Sequence, residues 1–368
     1  MTLMHTKSGD KLWRLGWTRY AALILFLAVA LNPAFEVEAK TMQNPVLTVT
    51  RLLDAPIIHP ELDASIGDNI QGPSLIRVPD WLDNPLGRYY LYFADHKGSY
   101  IRLAYADSLQ GPWTIHRPGS LQIGASHFLA EPPVVSQAER AAIEKHFRDN
   151  NIRVEHDVVE EVTAPHIASP DVHVDEANRR IVMYYHGLED VGYQVTRVAT
   201  STDGITFSAG SEVLGKTYWR SFQWRDKTYG LAMPGQFYRS NDPLSGYRKG
   251  PLLFNRDMRH SAVLVRGDEL YVFWTQVGDV PEHIKLSIID LTDDWTSWEA
   301  TPGIEVLRPD RDWEGANAPL KPSVRSTAYG IVNQLRDPAI YVENESVYLL
   351  YAIGGEAGIG IAEVTFAQ

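Results

Sequence analysis

One arrangement of polar and apolar positions recurs five times along the chain. Each copy has a polar head, an apolar strand, a short polar turn and a second apolar strand, usually rich in tyrosine. The copies read "GPSLIRVPDWLDNPLGRYYLYFAD" from Gly72, "SPDVHVDEANRRIVMYYHG" from Ser169, "RSFQWRDKTYGLAM" from Arg220, "HSAVLVRGDELYVFWTQ" from His260 and "DPAIYVENESVYLLYAIG" from Asp337. A further strand follows each copy, and "DG" and "GD" turns between β-rich runs indicate hairpins. The pattern predicts five repeated antiparallel sheets.

The second strand of four copies ("YYLYF", "IVMYY", "LYVFW" and "YLLY") is apolar at consecutive positions. A strand with one face in water would alternate, so these runs indicate strands that are buried on both faces. Antiparallel sheets stacked face to face in a ring bury their middle strands in this way. The sequence therefore predicts an all-β fold, a five-bladed β-propeller of four-stranded blades, in which residues 40–368 form a single domain.

The largest insertion, residues 131–163, falls between the first and second copies. Within it, Ser136 and Glu139 form a capping box pattern before the alanine-rich segment "SQAERAAIEKHFRDN". This pattern predicts one small helical element of about 12 residues, decorating the ring between blades 1 and 2 as a surface brace or a lid.

The first 39 residues have the pattern of a secretory signal peptide. Basic residues precede the apolar run "AALILFLAVAL", and Ala39 ends a small-residue cleavage pattern. Because about eleven apolar residues are too few to span a bilayer, we expect no membrane contact after cleavage, and a periplasmic or extracellular protein. The chain has no cysteine, so the core must hold the fold without disulfides. Its net charge of −12 argues against a nucleic-acid partner.

The heads of the five copies carry the candidate chemistry. In a propeller the first strand of every blade runs along the central axis, so the heads converge on one funnel. Charged side chains are rarely buried without partners, so a charged group of residues there needs a reason. Besides the heads themselves, the group comprises Asp68, Asn69, Asp171, His173, Trp219, Arg259 and Arg336.

The five copies, with "DPAI…YLLYA" as the clearest, resemble the five-bladed propeller glycoside hydrolases of families 43, 32 and 117 over nearly all of the predicted mature chain. The resemblance implies acidic catalytic groups on the blade heads. Asp337 matches the "DP" head pattern best, Asp171 lies two residues into the "SPD" head, and Asp68 lies just before "NIQGPS". The chain departs from family 43 in having Gly72 where an aspartate is usual. It also lacks an "EGP" at the third head, for which Glu314 and His260 are the nearest substitutes. Family 117 uses a histidine as general acid, which is the role that the resemblance implies for His260.

Each candidate also has a structural interpretation. Asp337 before Pro338 could be a turn residue, and His260 could be a hydrogen-bonded structural histidine. Trp219 and Trp313 precede possible site positions and could stack on a sugar ring or simply pack. No pattern in the chain requires a cofactor or defines a metal site, although the axis could hold a divalent cation or an ordered water.

Three arginines near the heads, Arg220, Arg259 and Arg336, contrast with the acidic composition. They organise the protein's own aspartates, or they bind a glycan that carries carboxylate or sulfate groups. The sequence predicts a secreted glycosidase that acts on a poly- or oligosaccharide with paired acid and base residues. Two alternatives stay open: a polysaccharide lyase for a uronate-containing glycan, and a non-catalytic glycan-binding propeller. The sugar, the linkage and the oligomeric state are not defined by these patterns.

Overall fold

Five four-stranded antiparallel sheets make up the fold of the computed structural model, which describes residues 45–154 and 156–367. The predicted signal peptide lies outside the described residues. The innermost strands of neighbouring sheets contact one another around a common axis, so the sheets are the blades of a five-bladed propeller. The predicted fold class is confirmed. The described residues belong to one compact unit.

The chain begins the fold with strand β1 (Leu47–Arg51) and then builds four blades from consecutive strands. Blade 1 contains β2 (Gln71–Arg77), β3 (Tyr89–Ala94), β4 (Arg102–Ala106) and β5 (Thr114–His116). Blade 2 contains β6 (Ile167–Asp175), β7 (Arg180–Asp190), β8 (Tyr193–Ser201) and β9 (Ser208–Ala209). Blade 3 contains β10 (Arg220–Trp224), β11 (Lys227–Ala232), β12 (Gln236–Ser240) and β13 (Arg248–Leu252). Blade 4 contains β14 (Met258–Arg266), β15 (Glu269–Gln276), β16 (Ile284–Asp290) and β17 (Ile304–Leu307).

Blade 5 closes the ring with strands from both ends of the described chain. It contains β18 (Arg336–Glu343), β19 (Ser346–Ala352) and β20 (Ile359–Phe366), and β1 pairs with β20 as its outer strand. The register runs from Leu47 opposite Phe366 to Arg51 opposite Ala362. This pairing supplies the fourth strand of the last blade, a strand that the sequence pattern did not identify.

The middle strands of the blades are as buried as their apolar runs predict. All six residues of β3 are buried, and Leu349 and Leu350 in β19 are fully inaccessible. Because these strands pack against the neighbouring blades on both sides, truncation of one such leucine to alanine would cost about 2–5 kcal/mol of stability. The cores between blades fix the positions of the inner strands and of the side chains at their heads.

The inner strands begin with the same irregularity in four blades. Their register with the second strand shifts within the first few residues of β2, β6, β14 and β18. Gly72, Ser169 and Asp337 occupy equivalent positions in three of these bulges and have positive φ angles. Bulges redirect side chains that a regular strand would alternate between two faces. Adjacent head residues can therefore both face the axis region.

The insertion between β5 and β6 forms two helices, α1 (Gln137–Asp149) and α2 (Val158–Thr163). Ser136 caps α1, and its capping box with Glu139 is present as predicted. The prediction of a helix here is confirmed, whereas α2 was not predicted. None of the residues of α1 is buried, but α2 buries Val159 and Thr163 against the propeller. Within the described ranges, no helix is long and apolar enough to cross a membrane.

Candidate active site

Polar side chains meet at the end of the axis where the inner strands begin. Because the strands are antiparallel, each second strand returns to this same end, and the turn into the third strand lies beside the heads. His96, Glu282 and Glu356 lie in such turns, of blades 1, 4 and 5. Together with the heads they form a group that we call the axial cluster: Asn69, His96, His186, Tyr218, Arg259, His260, Glu282, Arg336, Asp337 and Glu356.

Asp337 and His260 are in direct contact and almost completely buried. His260 Nδ1 lies 3.2 Å from Asp337 Oδ1 and accepts the backbone N–H of Asp337 at 3.3 Å. Burial, followed by the carboxylate of Glu356, raises the pKa of Asp337 to about 7. Burial and the nearby arginines lower the pKa of His260 well below its usual value. The pair therefore holds a neutral imidazole and a carboxyl group that is protonated in a large fraction of molecules near neutral pH. The second carboxyl oxygen of Asp337 is buried without a hydrogen-bond partner.

Glu356 is equally buried but is surrounded by donors. Arg336 Nη1 lies 2.6 Å from its Oε1, His96 Nδ1 lies 3.2 Å from the same atom, and Asn69 Nδ2 donates to Oε2 at 2.8 Å. Burial alone would raise the pKa of Glu356, but His96 and Arg336 hold it well below the usual value. Glu356 is therefore an ionised carboxylate in the same cluster as Asp337, whose pKa is raised.

Tyr218 lies between two imidazole rings just before β10. Its ring centroid is 4.5 Å from that of His186 and 4.7 Å from that of His260. Its hydroxyl is 3.5 Å from Nε2 of His96. The backbone φ of Tyr218 is +56°, a strained conformation for a bulky residue. Burial, together with the carboxylate of Asp337, raises the pKa of Tyr218, so the phenol is protonated.

The two cluster arginines are bound within the protein. Arg259 Nη1 lies 3.3 Å from Glu282 Oε2, and Arg336 donates to the side-chain oxygen of Gln334 as well as to Glu356. Both guanidinium groups also donate to the backbone carbonyl of Ser326, at 3.3 and 3.1 Å. Each arginine therefore neutralises a cluster carboxylate and anchors the chain above it.

Ser326 belongs to an irregular stretch, residues 319–335, which we call the cover segment. The hydroxyl of Ser326 donates to Glu161 of α2 at 3.1 Å, and Lys97 donates to the backbone carbonyl of Glu161. A cavity of about 170 Å³ is lined by the cover segment and by Arg336. The cover segment and α2 thus lie over the axial cluster, and this cavity approaches the cluster from the solvent side.

Arg220 fills the axis below the axial cluster. Its guanidinium donates to three backbone carbonyls from blades 2, 4 and 5, those of Pro170, Ser261 and Pro338. Its Nη1 is also 3.6 Å from Asp171 Oδ1. Arg220 joins three inner strands around the axis, and its donors are directed at the protein itself.

Asp171 and His173 lie on the other side of Arg220, in a cavity of about 670 Å³ lined by the later parts of the inner strands. His173 Nε2 is 2.8 Å from Asp171 Oδ2, which also accepts the backbone N–H of Ser221 at 2.7 Å. Burial alone would raise the pKa of Asp171, but the charges of His173 and Arg220 lower it. Burial alone would lower the pKa of His173, but the carboxylate of Asp171 outweighs burial and raises it. These two predicted site residues form a separate pair, apart from Asp337.

Glu314 also lies apart from the axial cluster. It is fully buried and accepts hydrogen bonds from Arg51 at 2.7 Å and from the hydroxyl of Tyr351 at 2.9 Å. Those partners belong to β1 and β19, so Glu314 links the connection from blade 4 to the closing strand of blade 5. The neighbouring Trp313 is half-buried and packs against the same core.

Trp219 and Asp68 also lie outside the axial cluster. Trp219 is 1% exposed and packs against Tyr184, Tyr238 and Tyr247 between blades 2 and 3. Asp68 is exposed to solvent. Of the predicted site residues, the structure brings together Asp337, His260, Arg259, Arg336 and Asn69.

Five members of the cluster were not predicted: His96, His186, Tyr218, Glu282 and Glu356. The sequence contains a signal for Glu356, because it is the one charged residue in the glycine-rich stretch "AIGGEAGIG". The antiparallel repeat would also have indicated the turns after the second strands, since these turns lie at the same end as the heads. Among residues 45–154 and 156–367, no group of three or more His, Cys, Asp or Glu side chains is arranged to hold a metal ion.

The five blades and the polar cluster at the axis define a propeller of the kind found in glycoside hydrolases. A β-xylosidase/α-arabinofuranosidase of glycoside hydrolase family 43 from a compost microbial metagenome, solved with xylotriose, is similar with a TM-score of 0.52 at 13% identity, covering 87% of this chain and 96% of that one. A thermostable family-43 glycoside hydrolase is similar at 14% identity with a TM-score of 0.49, covering 81% and 89% of the two chains. At 13% identity the likeness to the first of these two structures concerns the fold alone, and at the level of the fold the resemblance seen in the sequence is confirmed.

No family model matches the chain. It is 32% identical over 377 residues to "Uncharacterized protein R118" of Acanthamoeba polyphaga mimivirus, with 95% of this chain and 98% of that protein covered. The chain belongs to the same family as this viral protein.

Proposed function

We propose that the protein is a glycoside hydrolase whose active site is the axial cluster. The observation that carries the proposal is the placement of two buried carboxyl groups in one cluster: Glu356 is bound by Arg336, His96 and Asn69, and Asp337 has one oxygen without a hydrogen-bond partner among the described residues. Two carboxyl groups whose surroundings move their pKa values apart are suited to acid and base roles in one reaction. Hydrolysis of a glycosidic bond needs one protonated group for the leaving oxygen and one ionised group.

Asp337 is the proton donor in this proposal. Its pKa of about 7 keeps it protonated in a large fraction of molecules near neutral pH, and one of its oxygens has no hydrogen-bond partner among the described residues. A leaving oxygen placed at that atom would receive the proton. His260 accepts the backbone N–H of Asp337 and fixes the position of this carboxyl group.

The substrate that best fits these contacts is a neutral glycan. Arg220, Arg259 and Arg336 are each bound to carbonyls or carboxylates of the protein itself. This distribution supports the alternative in which the arginines organise the protein's own groups, rather than a carboxylated or sulfated glycan. Xylotriose, which is bound in the similar family 43 structure, is a suitable first oligosaccharide to test.

We also propose that the protein is exported, on the basis of the signal peptide pattern in residues 1–39. Expression of the full chain in a Gram-negative host should yield a periplasmic protein whose mass corresponds to a start after Ala39. A cytoplasmic protein of full mass would contradict this part of the proposal.

The activity is tested by product analysis of the purified protein with neutral and acidic poly- and oligosaccharides. A hydrolase releases new reducing ends without ultraviolet absorbance, and Asp337→Asn should abolish that release.

A lyase is the second candidate because Tyr218 lies beside His96 and near Arg259, a set that could remove an α-proton. It would yield an unsaturated, ultraviolet-absorbing product. Retention of a glycan without any product would instead indicate a binding protein.

A further inference from the structure

We propose that Tyr218 is the catalytic nucleophile of this site, that His96 removes its proton, and that the reaction therefore proceeds with retention through a covalent glycosyl–tyrosine intermediate. The inference rests on the proposed hydrolase function and specifies how its ionised carboxylate, Glu356, participates.

Tyr218, His96 and Glu356 form a chain of contacts that crosses blades 3, 1 and 5. The tyrosine hydroxyl is 3.5 Å from His96 Nε2, and His96 Nδ1 is 3.2 Å from Glu356 Oε1. If Nδ1 donates to the carboxylate, Nε2 is left as the acceptor that faces the hydroxyl. This is the arrangement of a nucleophile, a base and a group that orients the base.

Asn69 fixes His96 and Glu356 relative to each other. Its side-chain nitrogen donates to Glu356 at 2.8 Å, and its side-chain oxygen accepts the backbone N–H of His96 at 2.8 Å. Arg336 adds the shortest contact to Glu356, at 2.6 Å. These contacts occupy both oxygens of Glu356, which is only 1% exposed. Glu356 is therefore unsuited to attack a sugar carbon itself and is suited to orienting His96.

Tyr218 is the member of the chain that a substrate can reach. It is half-buried, whereas the other two members, His96 and Glu356, are buried. Its ring is held between His186 and His260, and its backbone has the strained φ of +56°. Strained backbone of this kind persists where the surroundings enforce it and is concentrated at functional sites. The two imidazole rings hold the tyrosine ring in place, and its hydroxyl lies 3.5 Å from His96 Nε2.

The proposed reaction has two steps. In the first, the oxygen of Tyr218 bonds to the anomeric carbon while its proton passes to His96 Nε2. The bond from that carbon to the leaving oxygen breaks, and Asp337 protonates this oxygen. In the second step, water attacks the anomeric carbon and gives a proton to the Asp337 carboxylate. The carbon–tyrosine bond breaks, and Tyr218 recovers its proton from His96, so every group returns to its first state. A protonated phenol is a weak nucleophile, which is why the neighbouring base is needed.

The test uses the wild-type protein, a sugar that it releases, and the matching 2-deoxy-2-fluoro glycosyl fluoride, starting with the xylosyl compound. The anomeric configuration of the first product is followed by NMR, and labelled protein is digested for mass spectrometry. We expect retention and one added 2-fluoroglycosyl group on the peptide that contains Tyr218. Inversion, or a label on Asp337 or Glu356, would overturn the inference and leave the hydrolase proposal intact.

Variants provide a second measurement. Tyr218→Phe should lower kcat by about a thousand-fold or more and abolish labelling, with an unchanged thermal midpoint. Tyr193→Phe, at a tyrosine that is 56% exposed, is the matched control and should behave as wild type. If Tyr218→Phe retains more than a tenth of wild-type kcat, Tyr218 is not the nucleophile. If Tyr218→Phe does not fold, the wild-type labelling experiment decides. Wild-type protein that cleaves no glycan of the panel and is not labelled would refute both proposals.

Discussion

The guanidinium of Arg336 lies 2.6 Å from the carboxylate of Glu356, although the two residues are 20 positions apart in the chain. Arg336 opens the inner strand of blade 5, and Glu356 lies in the turn that follows its second strand. The antiparallel hairpin returns the chain to the same end of the blade and creates this contact. One blade therefore supplies both a buried charge and its partner, and this pair anchors one side of the axial cluster.

Glu356→Gln should reduce the free energy of unfolding by about 3–5 kcal/mol, because it leaves the buried guanidinium of Arg336 without its closest counter-charge. Urea unfolding at pH 7 measures the loss. Glu345→Gln, at an exposed turn residue of the same blade, is the matched control and should change stability by less than about 0.5 kcal/mol. A loss below about 1 kcal/mol in Glu356→Gln would show that the contact is not maintained in solution.

Asp337→Asn should lower kcat by several orders of magnitude with little effect on folding, because an amide cannot supply the proton to the leaving oxygen. For the wild type, kcat/KM should fall as the pH rises through about 7, since the pKa of Asp337 is about 7 and its protonated form is the active one. Asp68→Asn, at an exposed aspartate, is the control. A near-normal kcat in Asp337→Asn would make this aspartate a structural residue of the strand head.

The same pKa predicts how stability depends on pH. Burial raises the pKa of Asp337 to about 7 in the folded protein, against 3.8 for an ordinary aspartate, so its contribution to stability is complete below about pH 4 and is lost as the pH rises through 7. Three pKa units correspond to at most about 4 kcal/mol. Unfolding at pH 4 and pH 8 should therefore show Asp337→Asn gaining about 2–4 kcal/mol relative to wild type at the higher pH. An equal difference at both pH values would contradict the raised pKa.

The repeat in the sequence was sufficient to predict the blades, because a strand that is buried on both faces has an unmistakable run of apolar residues. The closing strand β1 was not predicted, because its burial alternates and its partner β20 lies at the other end of the chain. The helix α2 was also not predicted, because it has only six residues and depends on packing against the propeller.

For the site, residues next to a head could be predicted, and residues brought in by other blades could not. Asp337 and His260 were found because both begin repeat copies. Glu356 and His96 lie in turns whose place near the axis follows from strand direction rather than from any local motif. Conversely, Asp171 lies two residues into a similar copy but faces the cavity beyond Arg220, because the position of a side chain along the axis depends on the bulge of each strand.

Glu314→Gln should affect stability and leave the activity of the folded protein unchanged. The carboxylate is fully buried and binds Arg51 and Tyr351, two residues outside the axial cluster. Loss of its charge leaves the partly buried Arg51 without its closest counter-charge, and we expect about 2–4 kcal/mol of destabilisation. Asp310→Asn, at a more exposed carboxylate near Arg51, is the control. A fall in kcat at a temperature where the variant is fully folded would return Glu314 to the catalytic candidates.

Arg220→Met should weaken the fold without changing the preference between acidic and neutral glycans. The guanidinium donates to the carbonyls of Pro170, Ser261 and Pro338, and methionine can fill part of the volume but cannot replace those donors. Buried carbonyls that lose their partners cost about 1–3 kcal/mol each, so unfolding by urea should detect a clear loss. The ratio of kcat/KM for matched acidic and neutral oligosaccharides should be the same in wild type and variant. Arg248→Met, at an exposed arginine, is the control for the change in charge. A loss confined to the acidic series would mean that Arg220 contacts the substrate, and the proposal of a neutral glycan would then have to be abandoned.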